Sequence, residues 1–446
     1  MTHTMTSGNP AKLIIKFAIP LLIGNLFQQL YVMIDSFIVG RTLGVQALAA
    51  VGSIGSLNFL VLGFIIGLCN GLGIVAAQKF GAGDDRGLRR SVTTGLVIGA
   101  TVAVILTLIF APMAKNILEL MQTPQEIIYD AYSYMTVLFW GLIISMMFNF
   151  LANIIRALGD SKTPLYFLAI ACVMNIILDY VFIVGIGTGV KGAGFATLIS
   201  QLASVIMCVV YMRRKFPILL ITREDWRITR NDLKIHLRQA IPMGFQTSVI
   251  AIGAVVVQFV LNGLGHLSVA AYTAAARIDQ LAILPIVSFG STMGTYSAQN
   301  YGAGKIDRIK KGMIQCGIIT MVFCVIIGLV NFFGGFYLAG LFLSGDAVEV
   351  QEKAGLFLRI NGVTYVFLGI MVILRFALQG LGRPFMPMIS SFAELGMRIF
   401  AAIILAGIWG FFGVCLSNPL AWVGALIPLV FAYIKIMKEL TLMQSS

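Results

Sequence analysis

Long apolar runs recur along the whole chain and are separated by short polar segments. Each run is about as long as the ~20 residues that an α-helix needs to cross the hydrocarbon core of a bilayer. We predict twelve membrane-spanning helices, near residues 13–39, 52–77, 92–112, 132–155, 164–186, 192–212, 239–262, 269–298, 312–335, 356–380, 386–410 and 413–434. The predicted fold class is therefore an all-α integral membrane protein.

The composition agrees with a lipid environment. Of the 446 residues, 59% are hydrophobic and 11% are charged, and the mean hydropathy is +0.95. A soluble domain of ordinary composition carries about a quarter charged residues. The six cysteines form no CxxC pair. We therefore expect neither a disulfide framework nor a metal site, and no cofactor.

The net charge of +13 is explained by where the basic residues lie. If the predicted helices alternate in direction, most of the 31 Lys and Arg fall on the side that holds both termini. Basic loops stay on the cytoplasmic side of a membrane. We therefore predict that both termini are cytoplasmic. The charge gives no reason to expect a nucleic acid partner, and no obligate protein partner is evident.

The sequence contains an internal repeat. Ala-Ile-Pro at 18–20 returns at 240–242, and the segment 77–83, which ends in Gly-Ala-Gly, has its counterpart at 298–304. Further matches keep nearly the same spacing along the chain, which chance does not explain. The two halves are therefore expected to share one fold.

The repeat predicts two bundles. We place a six-helix bundle at 1–212, a basic cytoplasmic linker at 213–238 and a second six-helix bundle at 239–446. Because each bundle has an even number of helices, the repeats are parallel and related by a pseudo-two-fold axis along the membrane normal. Such paired bundles are typical of alternating-access transporters. Pro20, which is repeated at Pro242, is the candidate hinge of the first helix.

Two acids inside apolar runs are the main functional signal. Asp35 lies in the first predicted helix and Asp179 in the fifth, where burying a carboxylate costs roughly 3 kcal/mol or more. Asn175 shares a helix face with Asp179, and Tyr134 lies at a similar predicted depth. These groups could hold a shared proton or a hard cation such as Na⁺. The alternative is that the acids only hydrogen-bond neighbouring helices.

The second half carries intramembrane charges of both signs. Glu394 and Arg398 are four residues apart and share a helix face. We predict that Arg277, Asp279, Arg375 and Arg398 form an ion network that holds the second bundle together. Glu394 is the best candidate among these charges for a direct role in substrate binding.

Several motifs together carry a family resemblance. They are Gln-Gln-Leu-Tyr at 28–31, Met-Ile-Asp at 33–35, Arg-Ala-Leu-Gly-Asp at 156–160 and Asn-Ile-Ile-Leu-Asp at 175–179. On the basis of these motifs, the chain resembles the multidrug and toxic compound extrusion (MATE) family over essentially its full length. The predicted seventh helix has no acid at 242–250. The chain is therefore more similar to the DinF-like branch than to the NorM-like branch.

The resemblance implies a function and a set of site residues. The function is secondary active multidrug efflux in the bacterial cytoplasmic (inner) membrane, with small cationic lipophilic drugs exchanged for H⁺ or Na⁺. Asp35, Asn175, Asp179 and Tyr134 would form the cation site of the first bundle. The candidate residues of the substrate cavity are Gln28, Tyr31, Met146, Met147, Asn149, Asn153, Gln246 and Glu394.

Other classes of function are weighed against this one. A flippase for a lipid-linked saccharide or another amphiphilic lipid would need a cationic cavity, for which Arg277, Arg375 and Arg398 are available. A membrane enzyme would need a catalytic constellation, and the sequence offers no nucleophile–base pair. A channel or receptor is disfavoured by the duplicated bundles.

Overall fold

The computed structural model describes residues 4–341 and 348–445, and the regular elements in these ranges are helices. The first half contains α1 (Pro10–Leu43), α2 (Val45–Ser53), α3 (Gly55–Gly81), α4 (Asp85–Leu120), α5 (Gln125–Trp140), α6 (Leu142–Ala157), α7 (Lys162–Asp179) and α8 (Val190–Lys215). The second half contains α9 (Arg230–Gly263), α10 (His266–Gly302), α11 (Ile306–Gly340), α12 (Val348–Gly380), α13 (Phe385–Phe400), α14 (Ala406–Trp409), α15 (Phe411–Cys415) and α16 (Ser417–Ser445).

The number of membrane spans agrees with the apolar pattern. Eleven helical segments in the described chain are long and apolar enough to cross a membrane, and α5 with α6 forms a twelfth, bent span. The bend is 49° and lies at Gly141, where Leu198 of α8 packs so closely that a larger residue would collide with it. The predicted all-α fold with twelve spans is confirmed, and the protein is a multi-pass membrane protein.

Some helices are longer than the apolar runs that predicted them. The 36 residues of α4 extend over ~54 Å at 1.5 Å per residue, whereas the hydrocarbon core is ~30 Å thick. One end of α4 must therefore lie outside the hydrocarbon. The polar end begins after Asp84, which caps the helix by accepting a hydrogen bond from the Gly87 N–H at 2.7 Å.

A backbone irregularity occurs at matching positions of the two halves. The helix α7 continues into a π-helical turn at Tyr180–Gly185, and α13 continues into another at Ala401–Leu405. Such turns are rare and are frequent at functional sites. The first turn begins directly after Asp179. The internal repeat therefore includes a feature of the backbone that hydrophobicity does not encode.

The described chain divides by its internal contacts into two compact units. The first unit contains Ile19–Ser248, and the second contains Met5–Ala18 together with the chain from Val249 onward. The boundaries lie inside α1, next to Pro20, and inside α9. The bundle limits at 212 and 239, which come from the sequence repeat, stay a prediction.

Small residues bring α3 and the beginning of α9 together within the first unit. A Cβ atom added to Gly71 would lie 2.6 Å from Ala240 Cα, and one added to Gly67 would meet the Met243 carbonyl group. Helices without side chains at their contact can approach closely, which favours association of membrane helices. This contact accounts for the presence of residues 230–248 in the first unit.

The linker at 213–238 is folded onto the beginning of α4, also within the first unit. It contains two 3₁₀ turns, Pro217–Leu219 and Arg223–Trp226. Its three acids each pair with an arginine of α4: Glu224 with Arg86 at 3.1 Å, Asp225 with Arg89 at 3.2 Å and Asp232 with Arg90 at 3.9 Å. The acidic side chains therefore attach the linker to the first unit.

Asp225 is the most buried of these acids. Its side chain is 2% exposed and accepts hydrogen bonds from the N–H and the hydroxyl of Thr222, both at 2.8 Å, and from Arg89. Burial raises the pKa of Asp225, but these donors and the charge of Arg89 outweigh burial and hold the pKa below its usual range. The folded state therefore favours the carboxylate form.

The segment before α1 is held in the second unit. Met5 is 3% exposed, and its N–H donates to Gln299 Oε1 at 2.8 Å. Arg308 donates to the carbonyl groups of Met5 at 3.2 Å and Gly8 at 2.9 Å. The segment before α1 thus belongs to the second unit, which is built mainly from the second half of the chain. Likewise, the segment before α9 belongs to the first unit.

We expect Asp225→Asn to lower the thermal unfolding temperature at pH 7, because Arg89 loses its acidic partner. The depressed pKa means that the stabilisation by the carboxylate is present above pH ~4 and is lost as the pH falls further. The difference in unfolding temperature between wild type and variant, measured in detergent from pH 7 to pH 3, should therefore shrink toward the acid end.

The matched control is Glu224→Gln. The Glu224 side chain is 70% exposed, and an exposed ion pair contributes at most about 1 kcal/mol to stability. This variant should unfold near the wild-type temperature at every pH. An equal decrease of the unfolding temperature in the two variants would contradict a special contribution of the buried ion pair of Asp225 and Arg89.

Candidate functional site

The structure brings the residues of the predicted cation site together in the first unit. Asp35 of α1 is 6% exposed, and Asp179, the last residue of α7, is fully buried with Asn175 one turn before it. The Tyr134 hydroxyl of α5 donates to Asp35 Oδ2 at 3.5 Å. The carboxyl groups of Asp35 and Asp179, here called the acid pair, are close enough to interact electrostatically.

The acid pair has few hydrogen-bond donors around it. Asp35 Oδ1 and both carboxyl oxygens of Asp179 have no donor among the described side chains, and the Asn175 amide has no partner there either. A carboxylate only accepts hydrogen bonds, so two facing carboxylates can bond to each other only when one carries a proton. The arrangement therefore suits a proton shared between the two acids.

The acid pair also lacks a countercharge. The described groups that act on it electrostatically are its own two carboxyls and tyrosine hydroxyls, and no Lys or Arg is among them. Two buried carboxylates without a countercharge are strongly unfavourable. A proton on one acid or a bound cation would supply the missing charge, and the carboxylate and amide oxygens are ligands that hard cations prefer.

Two further residues adjoin the acid pair. The Tyr31 hydroxyl interacts electrostatically with Asp35 and Asp179 and lies close to Thr197 of α8. Tyr31 therefore adjoins the predicted cation site, whereas the sequence suggested it for the substrate cavity. Thr197 was not predicted, because burying a single threonine in a membrane helix costs little free energy. Its presence in an apolar run therefore does not indicate a functional site.

The predicted cavity residues lie in different environments. Met146 is completely buried, and a Cβ atom added to Gly99 of α4 would lie 2.7 Å from its sulfur. It is therefore a packing residue of the first unit and does not face a cavity. Gln28 of α1 is exposed, whereas Gln246 of α9 is 6% exposed.

The remaining first-unit candidates all lie on α6 and are partly exposed. The Asn149 amide donates to the Ser145 carbonyl at 2.8 Å, and the Asn153 amide donates to the Asn149 carbonyl at 2.9 Å. Each side-chain amide therefore uses one N–H within the helix. The side-chain carbonyl oxygens of both asparagines stay available to accept a hydrogen bond. Met147 lines a separate pocket beside the linker.

Glu394 is the centre of a buried ion network in the second unit. It accepts hydrogen bonds from Arg375 at 2.8 Å and from Arg398 at 3.2 Å, and Arg375 also donates to the Ser390 hydroxyl at 3.1 Å. The predicted pairing of Glu394 with Arg398 is present, and Arg375 shares the same acid. Both carboxyl oxygens are occupied, which leaves Glu394 little capacity to bind a substrate cation.

Asp279 and Arg277 lie apart from these ion pairs. Asp279 accepts hydrogen bonds from the Tyr365 hydroxyl at 2.5 Å and the Asn361 amide at 3.1 Å, and the charge of Arg398 acts on it electrostatically. Arg277 is exposed and forms no ion pair with any described residue. It is therefore not joined to the network in which the sequence placed it.

The chain matches a known protein family twice. The profile of the MatE family matches residues 20–181 and 242–404, one stretch in each half. The chain belongs to the MatE family. The double match accords with the internal repeat, and the assignment to the DinF-like branch of the MatE proteins stays a prediction.

Relatives and solved structures of MatE proteins resemble the chain along its length. YoeA of Bacillus subtilis (strain 168), a probable multidrug resistance protein, is 29% identical over 428 residues, which are 94% of this chain and 92% of the relative. A protein of Shewanella oneidensis named as an FAD transporter is 24% identical and covers 94% of this chain and 93% of its own length. The crystal structure of a MATE protein in the bent conformation gives a TM-score of 0.92 at 24% identity, with 99% and 98% of the two chains covered.

We expect Asp179→Asn to raise the thermal unfolding temperature at pH 8, because it removes one of two buried like charges. A gain of about 1 kcal/mol would raise the temperature by roughly 2–4 °C in a large domain. The measurement is thermal unfolding of the purified protein in detergent.

The matched control is Asp279→Asn in the second unit. Asp279 is also buried, but Tyr365 and Asn361 donate to it, so its replacement should lower the unfolding temperature. A lowered unfolding temperature for Asp179→Asn and a raised one for Asp279→Asn would contradict the interpretation that the acid pair lacks compensation.

We expect Glu394→Gln to destabilise the second unit strongly, because two buried guanidinium groups lose their shared carboxylate. Breaking a buried ion pair costs about 3–5 kcal/mol. The exposed pair of Glu349 with Lys353 on α12 provides the control. Glu349→Gln should leave the thermal unfolding curve almost unchanged, whereas similar curves for the two variants would argue against the network.

Proposed function

We propose that this MatE protein is a secondary active multidrug efflux transporter and not an enzyme. It exchanges cytoplasmic cationic lipophilic drugs for H⁺ or Na⁺ by alternating access. It resides in the bacterial cytoplasmic membrane with both termini in the cytoplasm. The relatives named as multidrug resistance proteins support the class of substrate, and the basic loops on the side of the termini support the orientation.

The observation that carries the proposal is the uncompensated acid pair. Asp35 and Asp179 are buried together with Tyr134 and Asn175, and the described chain supplies no basic residue to neutralise them. A site of this kind changes its charge whenever an H⁺ or a Na⁺ enters or leaves. Such a site gives an ion gradient a place to act on the protein.

The cation and the drug must favour different states of the protein. A ligand shifts a conformational equilibrium only by the difference in its affinities for the two states. We infer that neutralisation of the acid pair favours the state that has released the drug to the outside. Pro20, which lacks an N–H and leaves the α1 carbonyl one turn earlier without its helical donor, is the candidate hinge.

There are three candidate classes of substrate. Apolar and aromatic side chains together with carbonyl oxygens suit cationic lipophilic drugs. The FAD transporter among the relatives favours an anionic amphiphile instead. A flippase for a lipid-linked saccharide would need a cationic cavity. Arg375 and Arg398 already share Glu394, which leaves Arg277 as the one of the three candidate arginines without an ion pair to a described residue. We therefore favour the cationic drugs.

The proposal is tested in proteoliposomes loaded with a fluorescent cationic drug, with a pH gradient or a Na⁺ gradient applied in turn. We expect one gradient to drive drug movement in the wild type. Asp35→Asn and Asp179→Asn should each reduce gradient-driven transport by at least about tenfold, because the charge change at the site is lost.

Three comparisons make the outcome specific. Glu349→Gln removes an exposed acid and should transport like the wild type. Unchanged transport in both acid-pair variants would contradict coupling in the first unit. Transport of FAD but not of the drug would show that the substrate is an anionic amphiphile, and the acid pair would remain the proposed coupling site.

A further inference from the structure

The basic residues of the linker are not paired. The three linker acids are held by arginines of α4, so they cannot neutralise the bases beside them. No base of the linker forms an ion pair with an acid in residues 4–341 or 348–445, and all of them are exposed. These bases are Arg213, Arg214, Lys215, Arg223, Arg227, Arg230, Lys234 and Arg238. The linker therefore presents a positive surface.

Large apolar side chains are exposed among these bases. Leu220 is 56% exposed, Ile221 is 40% exposed and Trp226 is 50% exposed. Basic residues mixed with exposed aliphatic and aromatic residues are typical of segments that lie in the headgroup region of a membrane. An aqueous surface would leave this apolar area unfavourably hydrated.

An apolar pocket lies directly beneath the same segment. Its volume is about 500 Å³, within the usual range of ligand pockets. Its walls come from α4, α6, α8 and the linker, through residues such as Leu96, Phe150, Val209 and Leu220, and Arg213 is the one charged residue that lines it. The pocket thus has an apolar interior and a cation beside it.

The predicted spans place the pocket near the boundary between the membrane and the polar phase. Its residues on α4, α6 and α8 stand at the ends of the apolar runs 92–112, 132–155 and 192–212 that are nearest the linker. An acyl chain that enters at this level would leave its headgroup beside Arg213 and Arg214. Clusters of basic residues next to membrane helices attract anionic lipids.

We propose that this pocket and the basic linker form a binding site for an anionic phospholipid of the cytoplasmic leaflet. An acyl chain occupies the apolar pocket, and the phosphate interacts with Arg213 and its basic neighbours. The site is separate from the acid pair, and the inference does not depend on which substrate is transported. The bound lipid would hold the linker to the first unit in addition to the ion pairs with α4.

Native mass spectrometry of the purified full-length protein tests the site, with phosphatidylglycerol and phosphatidylcholine of identical acyl chains as probes. We expect the first phosphatidylglycerol molecule to bind roughly tenfold more tightly than phosphatidylcholine, because only its headgroup carries a net negative charge. The double variant Arg213→Gln/Arg214→Gln should lose this preference and keep the wild-type unfolding temperature. Equal affinity of the two lipids for the wild type would overturn the proposal.

The matched control removes two other basic residues. Lys435 and Lys438 of α16 are also exposed and are predicted to lie on the same side of the membrane. Lys435→Gln/Lys438→Gln should retain the lipid preference, and an equal loss in both double variants would indicate diffuse charge attraction and overturn the proposal.

The role of the acyl chain is tested separately. Val209→Trp places a larger side chain in the pocket and should weaken phosphatidylglycerol binding, whereas free glycerol phosphate should not compete with the lipid at equal concentration. Competition by glycerol phosphate, or unchanged lipid binding to Val209→Trp, would show that the pocket takes no acyl chain.

Discussion

The central constraint on this structure is a pair of carboxylates that are buried together, with no basic residue of the described chain to neutralise them. A carboxylate inside a membrane protein is costly, and Asp35 and Asp179 are 6% and 0% exposed. The protein surrounds them with a phenol and an amide rather than with an arginine. An arginine would fix their charge, whereas the observed surroundings leave the charge to a proton or a cation that can exchange. A proton or a cation would supply the missing charge, and this is why we propose the acid pair as the coupling site.

The membrane fold could be predicted from the sequence because lipid imposes a simple rule. Backbone polar groups in lipid must be satisfied within the protein, and an α-helix does this within one segment. Long apolar runs therefore specify spans, and all twelve were found. The π-helical turns after Asp179 and Phe400 and the bend at Gly141 were not predicted. A continuous apolar run looks the same whether the local hydrogen bonds are α or π, and the effect of a glycine depends on the neighbour that packs against it.

The residues of the candidate site could be predicted where a polar or charged side chain is costly inside a membrane helix. Asp35, Asp179 and Asn175 stand out in apolar runs, whereas Thr197 does not. Met146 is buried, and its sequence gives no guide to this, because a methionine suits a cavity wall and a packed core equally well. In the second unit, the pairing of Glu394 with Arg398 follows from their spacing, but the contact with Arg375 of α12 depends on helix packing that the sequence does not reveal.

The acids inside the membrane-spanning helices have different surroundings in the two units, and this asymmetry supports our proposal that coupling lies in the first unit. In the second unit, Glu394 is held by two arginines and Asp279 by a tyrosine and an asparagine, so each acid already has partners. In the first unit, Tyr134, at 3.5 Å, is the one described side chain outside the acid pair that donates a hydrogen bond to it. Binding of a cation changes the energy of a charge most where the protein compensates it least. We therefore propose that an ion gradient acts most strongly on the first unit, whereas the acids of the second unit are already compensated by their partners.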